Sequence, residues 1–174
     1  MPSASRQPVP DIDLQGTRHY RPVPDPTMSL TAPVLVRLYA YWQARAAMRP
    51  PTRADIDPLE IGPDIRHVVL LDVALDPLRF YWRLLGGELV DSVGRNVSGK
   101  TFEGIYPHPL YADVMRVFSR VALTGLPIRH VGTARFADRD HLHYESLHLP
   151  LFGDDGQVAM MFGGLHFRPL DAAS

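Results

Sequence analysis

Two strings in this chain hold residues of types and spacings that do chemistry elsewhere. The first is Gly94-Arg95-Asn96-Val97-Ser98-Gly99-Lys100-Thr101, which fits glycine, four residues, glycine, lysine, threonine. In a phosphate-binding loop the backbone N–H groups cradle phosphate at a helix N-terminus, the lysine reaches the outer phosphates and the threonine holds magnesium. That task demands a strand before the first glycine and a long helix after the threonine. Here residues 88–93 read as a short helix ending at Gly94, while Gly104, Pro107 and Pro109 interrupt whatever follows Thr101. The apolar run ending in an acid, Val68-Val69-Leu70-Leu71-Asp72, precedes the loop instead of following it. The string is therefore expected to be a glycine-punctuated turn between short helices, and a nucleotide-dependent activity centred on Lys100 is its rival.

Histidine supplies the second string. His141, His143 and Glu145 alternate along a predicted strand and point to one face, a spacing that suits a metal ion, whereas His148 points to the other. A loop of three or five residues around Asp138 to Asp140 sets His130 opposite His148. A divalent metal needs three or four convergent ligands with support behind them. Half-exposed strands carry polar residues at every second position in any case. The pattern reads as a solvated strand face, and no metal is expected. A cupin-like site needs a different glutamate spacing and a far histidine, for which only His166 is placed. Haem held through one histidine falls to His108, flanked by Pro107 and Pro109.

Composition removes further chemistry. The chain of 174 residues has no cysteine, which excludes disulfides, thiolate catalysis, thiolate zinc sites and flavin–cysteinyl photochemistry. Ser92, Ser98, Ser119 and Ser146 lack the glycine–x–serine–x–glycine elbow of a serine nucleophile. Paired carboxylates, Asp138/Asp140 and Asp154/Asp155, stand in turn signals, where they hydrogen-bond local backbone. A net charge of −1, with dispersed arginines and Lys100 the only lysine, offers no stripe for nucleic acid or anionic lipid. The first ten residues lack a signal-peptide layout and no apolar run is long enough to span a bilayer, so a cytoplasmic location is expected.

The elements that must position these residues follow from periodicity. Residues 1–31, with Pro2, Pro8, Pro10, Pro22, Pro24 and Pro26, read as a proline-rich arm or linker, either a loose tail or a strand-like arm docked on the domain or a partner. Residues 32–174 form one domain led by a helix over 33–49. Val34, Leu35, Leu38, Tyr41, Trp42 and Arg45 share one face of that helix, and Arg49-Pro50-Pro51 ends it. A polar connection covers 52–65. Strands are predicted at 67–75 and 79–85, joined by a turn at Asp76-Pro77. Glycines and prolines leave room only for short helices over 88–109. A longer amphipathic helix follows at 110–123, with Leu110, Val114, Val117, Phe118 and Val121 on one face and Gly125 closing it. Strands at 128–136, 142–151 and 158–167 complete the order. Five antiparallel strands with helices inserted between the second and third give an α+β fold.

Several phrases at these positions carry a family resemblance. They are Leu38-Tyr39-Ala40-Tyr41-Trp42-Gln43-Ala44-Arg45, Arg53-Ala54-Asp55-Ile56-Asp57-Pro58, and Phe80-Tyr81-Trp82-Arg83-Leu84-Leu85-Gly86. Gly94-Arg95-Asn96-Val97-Ser98-Gly99-Lys100 and Tyr144-Glu145-Ser146-Leu147-His148-Leu149-Pro150-Leu151 continue them in order. Over residues 30–169 the chain resembles the PAS domains, specifically the bacterial PAS_5 group. The resemblance implies a twisted five-stranded antiparallel sheet with helices on one face and a pocket or docking surface between the two. It also implies a sensory or regulatory role, and carries over no catalytic residues.

The site expectations are these. A pocket for a small ligand is expected among Phe80, Trp82, Val90, Phe102, Tyr106, Phe118, Met160 and Phe162, a set that also reads as plain core. Along the last strand, Val158, Met160 and Phe162 share one face, and Met161 and Leu165 the other. One face is expected to meet the short helices and the other the leading helix or a second subunit. Leu38, Tyr41, Trp42 and Arg45 form a candidate interface, for packing on the chain's own domain or for pairing with a second copy. No cofactor, metal, nucleic acid or membrane partner is expected, and a homodimer or a signalling protein is. The reading is a non-enzymatic regulatory module gated by a small apolar ligand. Its rivals are a small nucleotide- or metal-dependent enzyme using residues 94–101 or His141 and His143, and an adaptor with a filled core.

Overall fold

The computed structural model describes residues 23–25 and 27–170. β-branched and aromatic runs form strands close to the five predicted places, β2 (Val68–Leu75), β3 (Leu78–Leu85), β4 (Ile128–Ala134), β5 (Arg139–Phe152) and β6 (Val158–Pro169), and a short β1 (Val23–Asp25) precedes them. The helices are α1 (Pro33–Ala46), α2 (Pro58–Ile61), α3 (Gly87–Val93), α4 (Phe102–Ile105) and α5 (Leu110–Thr124). Neighbouring strands lie in the order β1-β4-β5-β6-β2-β3, and every pairing is antiparallel. The fold is α+β.

Beside the five expected strands stands a short sixth. Val23, Pro24 and Asp25 pair with Val131, His130 and Arg129 of β4. Pro24 has no N–H to give the ladder, which suits its place on an edge strand. Residues 1–22 of the predicted arm lie outside the described residues. The connection over 52–65 is not open chain: it holds 3-10 turns at Arg53–Asp55 and Gly62–His67 around α2.

The sheet separates two apolar layers. On one face α3, α4 and α5 cover Val69, Leu71, Phe80, Trp82, Met161 and Leu165. On the other α1 covers Val68, Leu70, Leu147, Leu149, Leu151 and Phe162 with its own Leu35, Leu38 and Trp42. Gly164 permits the close approach of that helix, because a Cβ there would meet Leu38 Cδ1 at 2.8 Å and Leu35 Cδ2 at 2.9 Å. The indole N–H of Trp42 donates to Pro150 O at 3.0 Å.

This packing corrects the interface expectation. Leu38 and Trp42 are buried under their own sheet, so they have no surface left for a second copy. The Tyr41 hydroxyl donates to Asp55 O at 3.0 Å, and its ring carries the Arg45 guanidinium 3.5 Å above it. Arg45 also donates to Asp55 O and pairs with Glu60. The exposed face of α1 is instead Val36, Arg37, Ala40, Gln43 and Ala44.

One ionic network ties arm, sheet and helix. Arg129 on β4 donates through Nη1 to Asp25 at 2.9 Å and through Nε to Glu145 on β5 at 3.0 Å. Glu145 also accepts from the N–H groups of Thr31 and Ala32, just ahead of α1, and from the Thr31 hydroxyl. Burial alone would raise both carboxyls, but hydrogen bonds from Thr31, Arg129 and Ala32 hold Glu145 below its ordinary value, and those from Thr27 and Ser29, with a smaller share from Arg129, hold Asp25 at about 2. Their stabilisation is therefore complete above the unfolded values near pH 4 and is lost as pH falls through the folded ones. Arg129→Ala is expected to cost about 3 kcal/mol in urea unfolding at pH 7, because it strips the cation from a buried carboxylate. It should also flatten the fall in stability between pH 4 and 2; a loss under about 1 kcal/mol, the range of exposed pairs, would show the network to be screened by solvent.

Candidate functional site

Between the sheet and helices α3 to α5 lies a cavity in two neighbouring chambers of about 40 and 30 Å3 that share Trp82, Tyr106, Phe136 and Leu165 as walls. The larger adds Leu85, Leu89 and Val93 from the β3–α3 region, Arg95 and Val97 from the following loop, and Phe167 from β6. The smaller adds Val114 and Phe118 of α5, with Tyr144, Ser146 and His148 of β5. A surface groove bordered by Arg95, Ile105, Tyr106 and Phe136 adjoins the larger chamber. One water needs roughly 10–15 Å3 measured this way, and about 150 Å3 admits a benzene ring. The chambers thus suit a few non-hydrogen atoms, and a haem is far too large for them.

The wall behind the chambers is a packed aromatic cluster. Phe102 stacks its ring centroid 5.2 Å from Phe80, 5.4 Å from Trp82 and 5.0 Å from Phe118, in tilted and edge-on geometries that aromatic quadrupoles favour. Polar groups are few. His148 Nε2 sits 3.1 Å from Ser146 Oγ, and its ring lies edge-on to Phe118. The His130 ring is 5.6 Å away, and Nδ1 of each histidine has no hydrogen-bond partner among the described residues. Burial lowers both imidazoles, His130 to about 3 with help from Arg120, and His148 well below its ordinary value with help from His130. Both are neutral at pH 7. Burial likewise raises the Tyr106 hydroxyl, against a lowering pull from Trp82 and Arg95. The Trp82 N–H lies close enough to that hydroxyl to weigh on it, yet makes no hydrogen bond of normal geometry.

Of the predicted pocket residues, Trp82, Tyr106 and Phe118 line the chambers. Phe80 and Phe102 form the packed wall behind them, and Val90 is half-buried in the same layer. Met160 and Phe162 need correction: both lie on the α1 side of the sheet, where Phe162 faces the Tyr41 ring at 6.1 Å. Their strand neighbours Met161 and Leu165 take the helix side instead. Ser146, His148, Phe136 and Phe167 are lining residues that were not predicted; for the first two, the alternation that sets His148 opposite Glu145 was the available signal.

The phosphate-loop string forms no cradle. The Gly99 N–H donates to Trp82 O and the Lys100 N–H to Val97 O at 3.1 Å. Thr101 accepts from the Gly104 N–H at 3.1 Å and caps the four-residue α4, leaving no long helix to face a phosphate. The histidine strand does not converge either. Glu145 is held by Arg129 and Thr31, His141 is exposed, and His143 points Nδ1 at Gly132 O from 3.4 Å. Among the described residues no group of three or more His, Asp or Glu is arranged to hold a metal ion. His108 is exposed and away from the chambers.

A family model described as PAS domain, PAS_5, matches residues 30–166. The chain belongs to the PAS domain family. No curated protein and no solved structure matches it significantly. PAS domains are generally sensory or regulatory, non-enzymatic modules, and the strands β2 to β6 with α3 to α5 form the PAS sheet and its covering helices. Among the described residues no helix is long and apolar enough to cross a membrane.

Truncations on opposite faces of this PAS sheet should separate. Phe102→Ala is expected to cost about 3–5 kcal/mol and to enlarge the cavity, seen as new xenon-induced shifts at Phe80 and Phe118. Phe162→Ala should cost a similar amount while hastening amide exchange chiefly in α1. Identical exchange patterns in the two variants would show that the layers are not distinct.

Proposed function

We propose that this PAS domain is a non-enzymatic regulatory module of the cytoplasm, acting by association with a second copy of itself or a signalling protein. A small apolar molecule in the cavity gates that association. The observation that carries this reading is the double duty of β5. Its even-numbered residues Tyr144, Ser146 and His148 line the cavity, and its odd-numbered Leu147, Leu149 and Leu151 support α1. A change in what the chambers hold therefore reaches the leading helix through one strand.

The outward face of α1 supports the association half. Val36 is exposed there, Met48 follows the helix at 86 % exposure, and Leu59 of α2 stands at 90 %. Apolar side chains this exposed gain when a partner covers them.

Native mass spectrometry of freshly purified protein tests both halves together, because it reports stoichiometry and any retained molecule. The expected result is a dimer or a co-purified partner. Val36→Asp should abolish association while leaving the unfolding free energy within about 0.5 kcal/mol of the parent, as surface changes do. A monomer at high micromolar concentration by light scattering, together with unaltered partner capture in the variant, rejects this face as the surface.

A further inference from the structure

The polar end of the smaller chamber specifies more about its occupant than the apolar walls do. His148 is 3 % exposed, Nε2 is engaged with Ser146 Oγ at 3.1 Å, and Nδ1 has no partner among the described residues. A neutral imidazole carries one N–H and one lone pair. If Nε2 accepts from the serine hydroxyl, Nδ1 bears the hydrogen and needs an acceptor. If Nε2 donates, Nδ1 needs a donor. In either tautomer one strong hydrogen-bonding function stays buried and unmet by protein, which is costly enough that a molecule meeting it gains affinity.

The rest of the chamber constrains that molecule further. Val114, Phe118 and Leu165 offer only apolar contact. No charged side chain lines it, and both neighbouring histidines are neutral, so an ion entering would lose its hydration without a counter-charge. About 30 Å3, with a separate 40 Å3 across four shared wall residues, exceeds the need of one water and falls well below that of an aromatic ring. A hydroxyl group both donates and accepts, and so satisfies either tautomer.

We propose that the chambers bind a small neutral alcohol of a few non-hydrogen atoms, its hydroxyl on His148 Nδ1 and its short chain against Val114, Phe118 and Leu165. This narrows the ligand-gated reading above from an apolar molecule to one that also carries a hydroxyl, and rests on that reading only for the consequence of binding, not for binding itself. Ser146 is a positioning residue: its hydroxyl engages Nε2, which leaves Nδ1 as the ring nitrogen without a protein partner among the described residues.

The test titrates 1-propanol and, as its apolar isostere, n-butane into the 15N-labelled full chain, observing the imidazole nitrogens of His148. 1-Propanol should give saturable shifts centred on His148 Nδ1, binding roughly tenfold tighter than butane, the effect of one good neutral hydrogen bond. In His148→Phe, of similar shape and followed through the backbone amide shifts of Ser146 and Phe118, the preference for the alcohol should vanish while butane affinity is kept. If that variant does not fold, Ser146→Ala replaces it, expected to weaken propanol binding but not butane binding. Equal affinity for the two probes, or shifts that never saturate, overturns the proposal and leaves ordered water as the occupant. Amide exchange in α1 is measured on the same samples. Saturable propanol binding with unchanged α1 exchange upholds the alcohol site and rejects the gating, whereas α1 responding to a different retained molecule with His148 silent rejects the alcohol site alone.

Discussion

The arrangement of this domain depends on where one carboxylate is buried. Glu145 occupies a position on β5 whose neighbours on the same face, Leu147, Leu149 and Leu151, are apolar and fully covered. An acid there is tolerable only if its charge is met on every side. Arg129 meets it across the β4–β5 ladder, and the N–H groups of Thr31 and Ala32 meet it from the approach to α1. The helix begins at Ala32, a poor cap with no side-chain acceptor of its own. A carboxylate more than a hundred residues away in sequence does that work, at the end of the helix where the macrodipole favours negative charge. The same guanidinium then fixes Asp25 and the edge strand. Helix, arm and sheet are thus placed by one buried ion cluster, and the apolar contacts of Leu35, Leu38 and Trp42 follow from that placement.

With α1 set in this way, both faces of the central strands are covered, which explains a feature of the sequence that a sheet with one wet face would not have. β6 reads Val158-Ala159-Met160-Met161-Phe162-Gly163-Gly164-Leu165, with no polar alternation. Met161 and Leu165 pack toward α3 to α5, while Met160 and Phe162 pack toward α1. Gly164 is the point where the helix comes closest. Such sequences are typical of strands buried on both sides.

The order of elements was legible because turn signals and periodicity agree: Asp76-Pro77, Gly125 and the 153–156 turn each sit where an element ends. What the sequence left open was polarity between faces. A period of two states which residues share a side, not which side meets which helix. Met160 and Phe162 were grouped correctly with one another and placed with the wrong layer for this reason. The same limit hid Ser146 and His148 as lining residues, since their neighbours across the cavity, Val114 and Phe118, come from a helix more than twenty residues away. Glu145 was misread as a solvated residue because its partners, Thr31 and Arg129, belong to elements that strand periodicity does not connect. The phosphate-loop string failed on context alone, and the structure shows why: its amides close a turn against β3.

Coupling between cavity and helix then has a concrete path. His148 and Ser146 face the cavity, and the peptide units joining them to Leu147, Leu149 and Pro150 are those that carry the floor of α1. Trp42 is pinned to Pro150 O, two residues from His148. Close-packed interiors yield little to compression, so an occupant that rotates the His148 ring or shifts β5 by a few tenths of an ångström has to be absorbed on the other face. There Leu35 and Leu38 pack over Gly164, where an added Cβ would meet them at 2.9 and 2.8 Å. The ion cluster at Glu145 ties the start of that helix, and Trp42 on Pro150 O with Arg45 on Asp55 O and Glu60 ties its second half to the sheet and to the connection that follows.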